Sequence, residues 1–177
     1  MTPTSPIALI GYRGTGKTTV ARLLAAKLSL DWVDADVEVE LKAGRSIAAI
    51  FEDAGESAFR DFESDVVDKL CARDRLVLAL GGGAILRAEN RERIATCSEV
   101  VWLRATAATI AERILGDPTT AGRRPNLTNR GGRHEIEQLL TDREPFYRSC
   151  ATLEVDTESK DPADIADEIV AQLGRSS

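Results

Sequence analysis

One stretch of eight residues, 11–18 (GYRGTGKT), restricts the fold of this chain more than any other part of the sequence. It matches the pattern G-x-x-x-x-G-K-[ST], in which the backbone N–H groups of a glycine-rich loop hold a phosphate chain. The pattern requires a strand before the loop and a helix after it. Here the apolar run Ile7–Ile10 precedes the loop, and apolar residues recur at helical spacing over residues 19–30. The sequence therefore predicts a nucleotide-binding loop rather than a glycine-rich turn before an ordinary helix.

Four residues of the predicted loop have specific chemical roles. Gly14 and Gly16 lack a Cβ, so the backbone can adopt positive φ and approach phosphate oxygens closely. The ammonium group of Lys17 can reach the β- and γ-phosphates, and the hydroxyl of Thr18 can bind Mg²⁺. We therefore expect a nucleotide with Mg²⁺ at this loop.

Composition restricts the classes of partner that we expect. The 177 residues are enough for one domain, and a formal charge of −6 argues against binding to nucleic acid. No apolar run approaches the length of a membrane span, and the first residues do not resemble a leader peptide, so we expect a cytoplasmic protein with no membrane partner. The three cysteines are far apart in the sequence and predict reduced thiols rather than a zinc site: Cys71, Cys97 and Cys150.

Runs that predict strands alternate with stretches of helical spacing along the chain. This order is typical of an α/β fold with a parallel sheet and helices on both faces. We expect five strands, at residues Ile7–Ile10, 32–36, 76–80, 99–103 and Leu153–Asp156. Ligands bind beyond the carboxyl ends of such strands. The glycine loop, a pair of aspartates and the triple glycine 81–83 each follow a strand, which predicts one site built from three strand ends.

The aspartate pair is expected to supply the acidic groups of this site. The long apolar strand 76–80 ends in Gly81, whereas many phosphate-loop hydrolases have an aspartate there. Asp34 and Asp36 end a neighbouring strand, where one carboxylate can face Mg²⁺ and the other a second substrate. The alternative is a solvated turn, because aspartate commonly caps a following helix. The triple glycine suggests that backbone passes close to a ligand.

Two arginines and one irregular segment complete the candidate site. Arg60 lies in a helical stretch with Glu63 three residues on, close enough for an ion pair. Arg143 lies in a later helix, and either guanidinium could grip a carboxylate or phosphate or simply form a surface salt bridge. Residues 116–132 are rich in Gly, Pro and Arg and too long for a simple connection, so we expect a lid that closes over the site. A surface loop is the alternative.

Taken together, these segments resemble the shikimate kinase family over essentially the whole chain. The matching segments, in order, are GYRGTGKTT, DAD, GRSIAAIF, GESAFRDFE, LALGGGAI, RRPNL, DREPFY and VDT. The resemblance implies a P-loop kinase fold in a single domain 1–177, with a substrate-binding region at about 35–63 and a mobile lid at about 116–132. It implies ATP-dependent phosphorylation of a shikimate hydroxyl to shikimate 3-phosphate, on the pathway to chorismate and the aromatic amino acids.

The resemblance also implies a role for each matching residue on the nucleotide side. The ATP phosphates would be bound by Gly14, Thr15, Gly16, Lys17, Thr18, Thr19 and Arg124. Mg²⁺ would be held by Thr18 and, through water, by Asp34. Arg124 in the lid would reach the transferred phosphoryl group. The catalytic residues would be Lys17, Asp36 and Arg124.

The implied acceptor side takes its residues from several segments. Asp36 would accept hydrogen bonds from shikimate hydroxyls and orient or deprotonate the attacking one. Arg60 and Arg143 would hold the shikimate carboxylate. Gly82 would contact the ring substituents, and the pocket would be walled by Phe51 and Phe59. ATP and shikimate are then the expected partners of a monomeric protein.

Other functions stay open on the sequence alone. The lid reads Arg124-Pro125-Asn126-Leu127 where the family usually has RPLL, and Glu158-Ser159-Lys160 stands where an arginine is common. A kinase for another small acceptor, such as gluconate or a nucleotide, is the nearest alternative. A nucleotide acceptor would need a base-stacking platform, and only 5% of the residues are aromatic. A P-loop hydrolase or switch would instead turn over ATP without any acceptor.

Overall fold

The computed structural model describes residues 5–116 and 132–174, which form five strands and seven helices. The strands are β1 (Ile7–Ile10), β2 (Asp31–Asp34), β3 (Leu76–Ala79), β4 (Glu99–Arg104) and β5 (Leu153–Asp156). The helices are α1 (Lys17–Leu28), α2 (Ala35–Ala43), α3 (Ile47–Cys71), α4 (Ala88–Ile94), α5 (Ala107–Gly116), α6 (Arg133–Cys150) and α7 (Pro162–Leu173). Most of the predicted lid lies outside the described residues.

All five strands form one sheet in the order β2-β3-β1-β4-β5, and every neighbouring pair is parallel. The central strand β1 places Leu9 opposite Ala79 on one side and opposite Val101 on the other. Because the strands are parallel, their carboxyl ends lie at one edge of the sheet. The predicted five-stranded parallel sheet is confirmed.

Both faces of the sheet are covered by helices. Along β1, Ala8 and Ile10 pack into one apolar cluster, while Ile7 and Leu9 pack into the other, as the two-residue period of a strand requires. The first cluster contains the apolar stripe of α3, and the second contains residues of α1 and α7. All four residues of β1 are buried, which explains why this strand reads as a continuous apolar run.

The strand predicted at residues 32–36 ends earlier than expected. β2 ends at Asp34, and α2 begins at Ala35, so Asp36 lies in the first turn of a helix. The reason is a capping hydrogen bond: the backbone N–H of Asp36 donates to Oδ1 of Asp34 at 2.9 Å. Asp34 therefore does cap a helix, as the alternative interpretation predicted. Its side chain nevertheless lies at the carboxyl edge of the sheet.

Two predicted helices, one starting at Ser46 and the other running from Glu56 to Arg73, join in α3. Gly55, with φ 80° and ψ 178°, breaks the helical geometry between them. Only glycine adopts this conformation readily, so the chain is kinked at Gly55 and the predicted boundary between two helices is present. Across the described residues, no helix combines the length and apolar character needed to cross a bilayer.

Candidate active site

A cavity of about 520 Å³ opens at the carboxyl ends of β1, β2 and β3. It brings together the three features that the sequence places after strands: the glycine loop, the aspartate pair and the triple glycine. The lining residues are Arg13, Gly14, Gly16, Lys17, Thr18, Thr19, Asp34, Asp36, Ala79, Leu80, Gly81, Gly82, Arg113 and Gly116. The cavity therefore joins phosphate-binding backbone to carboxylates in one space.

The glycine loop connects β1 directly to α1 and has the conformation that phosphate binding needs. Gly14 and Gly16 have φ of 81° and 90°, which L side chains rarely adopt. Gly16 caps the N-terminus of α1, so the N–H groups of the first helical turn are left for an anion. Thr15 is buried, and its hydroxyl donates to the carbonyl of Tyr12 at 2.8 Å, which holds the turn from within.

Lys17 folds back over its own loop. Its Nζ donates to the carbonyl oxygens of Gly11 and Tyr12, both at 2.8 Å. The side chain is largely buried yet lines the cavity. The ammonium group is therefore placed between the backbone of the loop and the space that a phosphate chain would fill.

The oxygen ligands expected for Mg²⁺ lie together. The hydroxyl of Thr18 donates to Oδ2 of Asp34 at 2.6 Å, and both residues line the cavity. Among the described residues, no group of three His, Cys, Asp or Glu side chains has a metal-binding arrangement. Mg²⁺ does not require one, because it usually binds through one or two carboxylates and completes its octahedron with phosphate oxygens and water. The chemistry of Thr18 and Asp34 fits that mode of binding.

Arg60 is held in a buried charge cluster on α3. Its Nη1 donates to Glu63 at 2.6 Å, and its Nη2 donates to Glu56 at 2.9 Å. The predicted contact with Glu63 is therefore present, and the side chains of Arg60 and Glu63 are only 8% and 2% exposed. The guanidinium lies against Gly83, where an added Cβ would overlap it. The triple glycine thus makes room for a cation beside its backbone.

Arg143 is also buried but has different partners. Its guanidinium stacks over the ring of Tyr12, 5.5 Å from the centroid. Within residues 5–116 and 132–174, no carboxylate lies within ion-pair distance of it. One turn further along α6, the hydroxyl of Tyr147 donates to the carbonyl of Gly82 at 2.5 Å. Helix α6 therefore contacts both the glycine loop and the triple glycine.

The two aromatic residues expected to wall the pocket pack against each other. The rings of Phe51 and Phe59 are 4.9 Å apart, and Phe59 is fully buried in the core. Arg60 stacks over Phe59 at 5.1 Å. None of these three, nor Arg143, belongs to the lining of the cavity in the described part of the chain. Of the residues predicted for the acceptor side, Asp36 and Gly82 thus line the cavity together with most of the glycine loop, whereas the two phenylalanines and the two arginines do not.

Two arginines that sequence reasoning missed line the cavity, Arg13 and Arg113. Arg13 occupies a variable position of the glycine-loop pattern. Its place inside the loop could have indicated that its positive charge lies near the predicted phosphate site. Arg113 comes from α5 and donates to the carbonyl and hydroxyl oxygens of Thr157 at 3.0 and 3.1 Å. Nothing in the sequence distinguished it from any other charged residue of an amphipathic helix.

The position of α5 depends on Glu158. This carboxylate accepts hydrogen bonds from the backbone N–H of Thr106 at 2.6 Å and from the hydroxyl of Thr109 at 2.7 Å. These bonds, the Thr106 bond above all, lower the pKa of Glu158, and the nearby charge of Arg113 adds to the effect. The loop after β5 therefore anchors the start of the helix that carries Arg113. Arg124 and its neighbours in the predicted lid lie outside the described residues.

Comparison with known proteins agrees with the geometry. The shikimate kinase family model matches residues 13–174. The shikimate kinase of Rhodopirellula baltica is 45% identical over 162 residues, which cover 92% of this chain and 87% of that protein. The shikimate kinase of Symbiobacterium thermophilum is 40% identical over 167 residues, covering 94% of this chain and 95% of that protein.

Solved structures show the same relationship. The shikimate kinase from Acinetobacter baumannii in complex with shikimate superposes with a TM-score of 0.92 at 36% identity, over 98% of this chain and 95% of that one. A gluconokinase from Sinorhizobium meliloti superposes with a TM-score of 0.61 at 18% identity, over 98% of this chain and 93% of that one, so it shares the fold alone. The predicted P-loop kinase fold is confirmed, and this chain belongs to the shikimate kinase family.

Proposed function

We propose that this protein transfers the γ-phosphoryl group of ATP to a hydroxyl of shikimate, giving shikimate 3-phosphate and ADP. Membership of the family confirms the predicted kinase activity and its place in aromatic amino-acid biosynthesis. The observation that carries the residue assignments is the single cavity that joins the glycine loop to Asp34 and Asp36. Phosphoryl transfer depends on positioning and on offsetting charge, and this cavity supplies groups for both.

The glycine loop would hold the triphosphate. The N–H groups at the start of α1 have no side-chain cap and can bind an anion, and Lys17 is held at the loop by two carbonyls. In the reaction its ammonium would offset charge on the β- and γ-phosphates. Arg124, which lies outside the described residues, would offset charge on the transferring group, and Thr15 and Thr19 would complete the phosphate contacts.

Thr18 and Asp34 would hold Mg²⁺, in keeping with their 2.6 Å hydrogen bond at the rim of the phosphate site. The ion supplies positive charge that offsets the charge of the phosphate oxygens. Asp34 has a second task in the protein itself, because it caps the helix that carries Asp36. The two carboxylates are therefore positioned by one local arrangement.

Asp36 would position the acceptor hydroxyl. It lies in the first turn of α2 and lines the same cavity as the glycine loop. A carboxylate there can accept a hydrogen bond from the attacking hydroxyl and take its proton as the new P–O bond forms. Gly82, in the same lining, would bring backbone close to the ring substituents.

Arg60 and Arg143 would hold the shikimate carboxylate, but with unequal strength. Two glutamates already offset the charge of Arg60. Arg143 stacks on Tyr12 and has no carboxylate within ion-pair distance in the described part of the chain. We expect Arg143 to provide more of the attraction for an anionic ring substituent, and Arg60 to fix its orientation beside Gly83. Phe51 and Phe59 would support Arg60 from the core.

An acceptor panel tests the proposal. ADP release from Mg-ATP is measured with shikimate, quinate, gluconate, AMP or no acceptor, and the product is identified as the 3-phosphate by ³¹P NMR. We expect rapid release with shikimate and little without an acceptor. Faster turnover with gluconate or AMP, or turnover that ignores the acceptor, would contradict the assignment.

We also infer that the enzyme is a cytoplasmic monomer in a single domain, with ATP and shikimate as its partners. The cavity brings the glycine loop, the aspartate pair and the triple glycine together at one edge of one sheet. All three cysteines are free thiols, which suits a reducing compartment. Light scattering that gives twice the mass of the chain would exclude the monomer.

A further inference from the structure

Two cysteines that are 26 residues apart in the sequence lie side by side in the fold. The thiol of Cys97 donates to Sγ of Cys71, with the sulfurs 3.8 Å apart. Cys71 is the last residue of α3, and Cys97 lies in the turn between α4 and β4. The residues are 7% and 8% exposed. Their spacing along the chain does not predict that these thiols meet, because the packing of α3 against α4 brings them together.

The surroundings of the two thiols are unequal. The hydrogen bond from Cys97 lowers the pKa of Cys71, and the Arg93 guanidinium lowers it further, whereas burial and Asp68 raise it. Donating that hydrogen bond and being buried both raise the pKa of Cys97. Arg93 is itself paired with Asp68 at 2.7 Å, which keeps a cation near the end of α3. Cys71 is therefore the sulfur that ionises first.

We propose that Cys71 and Cys97 form a modification site, which a hydroperoxide oxidises to an intramolecular disulfide. The Cys71 thiolate attacks one peroxide oxygen, the O–O bond breaks, and a sulfenic acid forms with release of water. The sulfur of Cys97 then attacks Sγ of Cys71, the S–O bond breaks, and a second water leaves as the S–S bond closes. Two thiols and one hydrogen peroxide thus give one disulfide and two waters.

The geometry favours the disulfide over further oxidation. A disulfide joins its sulfurs at about 2.0 Å, so the pair needs to approach by less than 2 Å from its present separation. The resolving thiol is already in contact with the sulfur that would carry the sulfenic acid. A nearby thiol captures a sulfenic acid before a second peroxide can convert it to the irreversible sulfinic acid.

The link would leave the active site in place. Cys71 lies eleven positions after Arg60 on α3, about 16 Å along a helix. The disulfide would join the end of α3 to the turn before β4, on the side of the sheet where strands begin. We therefore expect oxidation to stabilise the fold and to leave turnover within about twofold, because the closed loop restricts the unfolded chain.

The experiment uses the full chain in a Cys150→Ser background, in which the pair provides the only thiols. Hydrogen peroxide should lower the intact mass by about 2 Da, the mass of two hydrogens. Proteolysis should yield one linked peptide pair joining Cys71 to Cys97, and a dithiol reductant should restore the original mass. The wild-type chain, treated in the same way, provides a measurement that needs no substitution.

Single variants test the unequal roles. In the same background, Cys97→Ser should accumulate a sulfenic acid that dimedone traps at Cys71, whereas Cys71→Ser should react several-fold more slowly at Cys97. The melting temperature of oxidised protein should exceed that of reduced protein by roughly 5 °C. Both thiols remaining alkylatable after peroxide, sulfinic acid at Cys71 without the link, or a lower melting temperature on oxidation would each overturn the proposal.

Discussion

The glycine loop and the pair of buried arginines serve opposite ends of the proposed reaction, and the protein holds them in different ways. Lys17 bonds to carbonyls five and six positions before it. On the acceptor side, Tyr147 on α6 bonds to Gly82 after β3, at a separation of 65 positions. The bonds that hold Lys17 in the phosphate half thus lie within one short segment, whereas the contact that joins α6 to the triple glycine in the acceptor half links distant parts of the chain. We therefore expect the acceptor half to depend more strongly on the packing of the whole fold.

The largest effect on activity is expected from a substitution in the phosphate half. Lys17→Ala removes the cation at the phosphates together with its two bonds to loop carbonyls, so activity should fall by about 10³-fold or more with the fold retained. ADP release and circular dichroism measure the two quantities. Lys160→Ala, which breaks the surface ion pair with Glu168, is the matched control. Normal turnover by the Lys17 variant would contradict the assignment of residues 11–18 as a nucleotide-binding loop.

Asp36→Asn tests the proposed role of Asp36 in positioning the acceptor hydroxyl next to the phosphate half. The side chain keeps its size and loses its charge, so kcat should drop by about 10²- to 10⁴-fold while the ATP KM changes little. Steady-state kinetics with each substrate varied in turn separates the two constants. Asp31→Asn, on an exposed position of the same strand-and-helix segment, should behave like the wild type. A change confined to KM would mean that Asp36 only binds the acceptor.

Arg60→Met and Arg143→Met should differ from each other, although both raise the shikimate KM by tens-fold. Removing Arg60 breaks its buried ion pair with Glu63, which typically costs about 3–5 kcal/mol of unfolding free energy. Removing Arg143 breaks no ion pair in the described part of the chain, so its cost in stability should be small. Urea unfolding and shikimate kinetics measure both effects, with the exposed Arg73→Met as control. Equal losses of stability would show that Arg143 also has a structural carboxylate partner.

The smallest effect concerns a long-range contact on the nucleotide side, the anchoring of α5 by Glu158. Hydrogen bonds from Thr106 and Thr109 lower the pKa of Glu158 below its ordinary 4.5. A lowered carboxyl pKa contributes stability above that value, and the contribution is lost as the pH falls through the folded-state pKa. Glu158→Gln should therefore melt at a slightly lower temperature at neutral pH and show a shallower loss of melting temperature below about pH 4.5. If the melting temperatures of the two proteins are equal at every pH, the Glu158 carboxylate contributes nothing to stability through its anchoring of α5.

The sequence predicted the glycine loop of the phosphate half and its two flanking elements almost completely. The glycine pattern, the strand before it and the helix after it depend on residues within about one helix length of each other. The pairing of Arg60 with Glu63 was also predictable, since both lie on one helix. Tertiary contacts were less predictable: helical spacing marks Phe59 as part of a buried stripe without saying what covers it, and the structure packs it in the core.

The same limit explains the residues that were missed. Arg113 reaches the cavity only because Thr157 and Glu158, from another strand end, hold α5 in place. The boundary of β2 was placed too late because a run ending in Asp-Ala-Asp fits a strand end and a helix cap equally well, and the capping hydrogen bond of Asp34 decides the matter.

The strand order has a consequence for how the site is lost when the protein opens locally. β1 is the middle strand and all four of its residues are buried, whereas β2 is an edge strand with two exposed and two half-buried residues. Edge strands exchange their amide hydrogens through small fluctuations, and central strands only through nearly complete unfolding. The Asp34 end of β2 therefore belongs to a less protected unit than the glycine loop. A nucleotide that contacts both the glycine loop and Asp34 would slow amide exchange most strongly in β2. Ligand binding would therefore stabilise the edge strand more than the central strand.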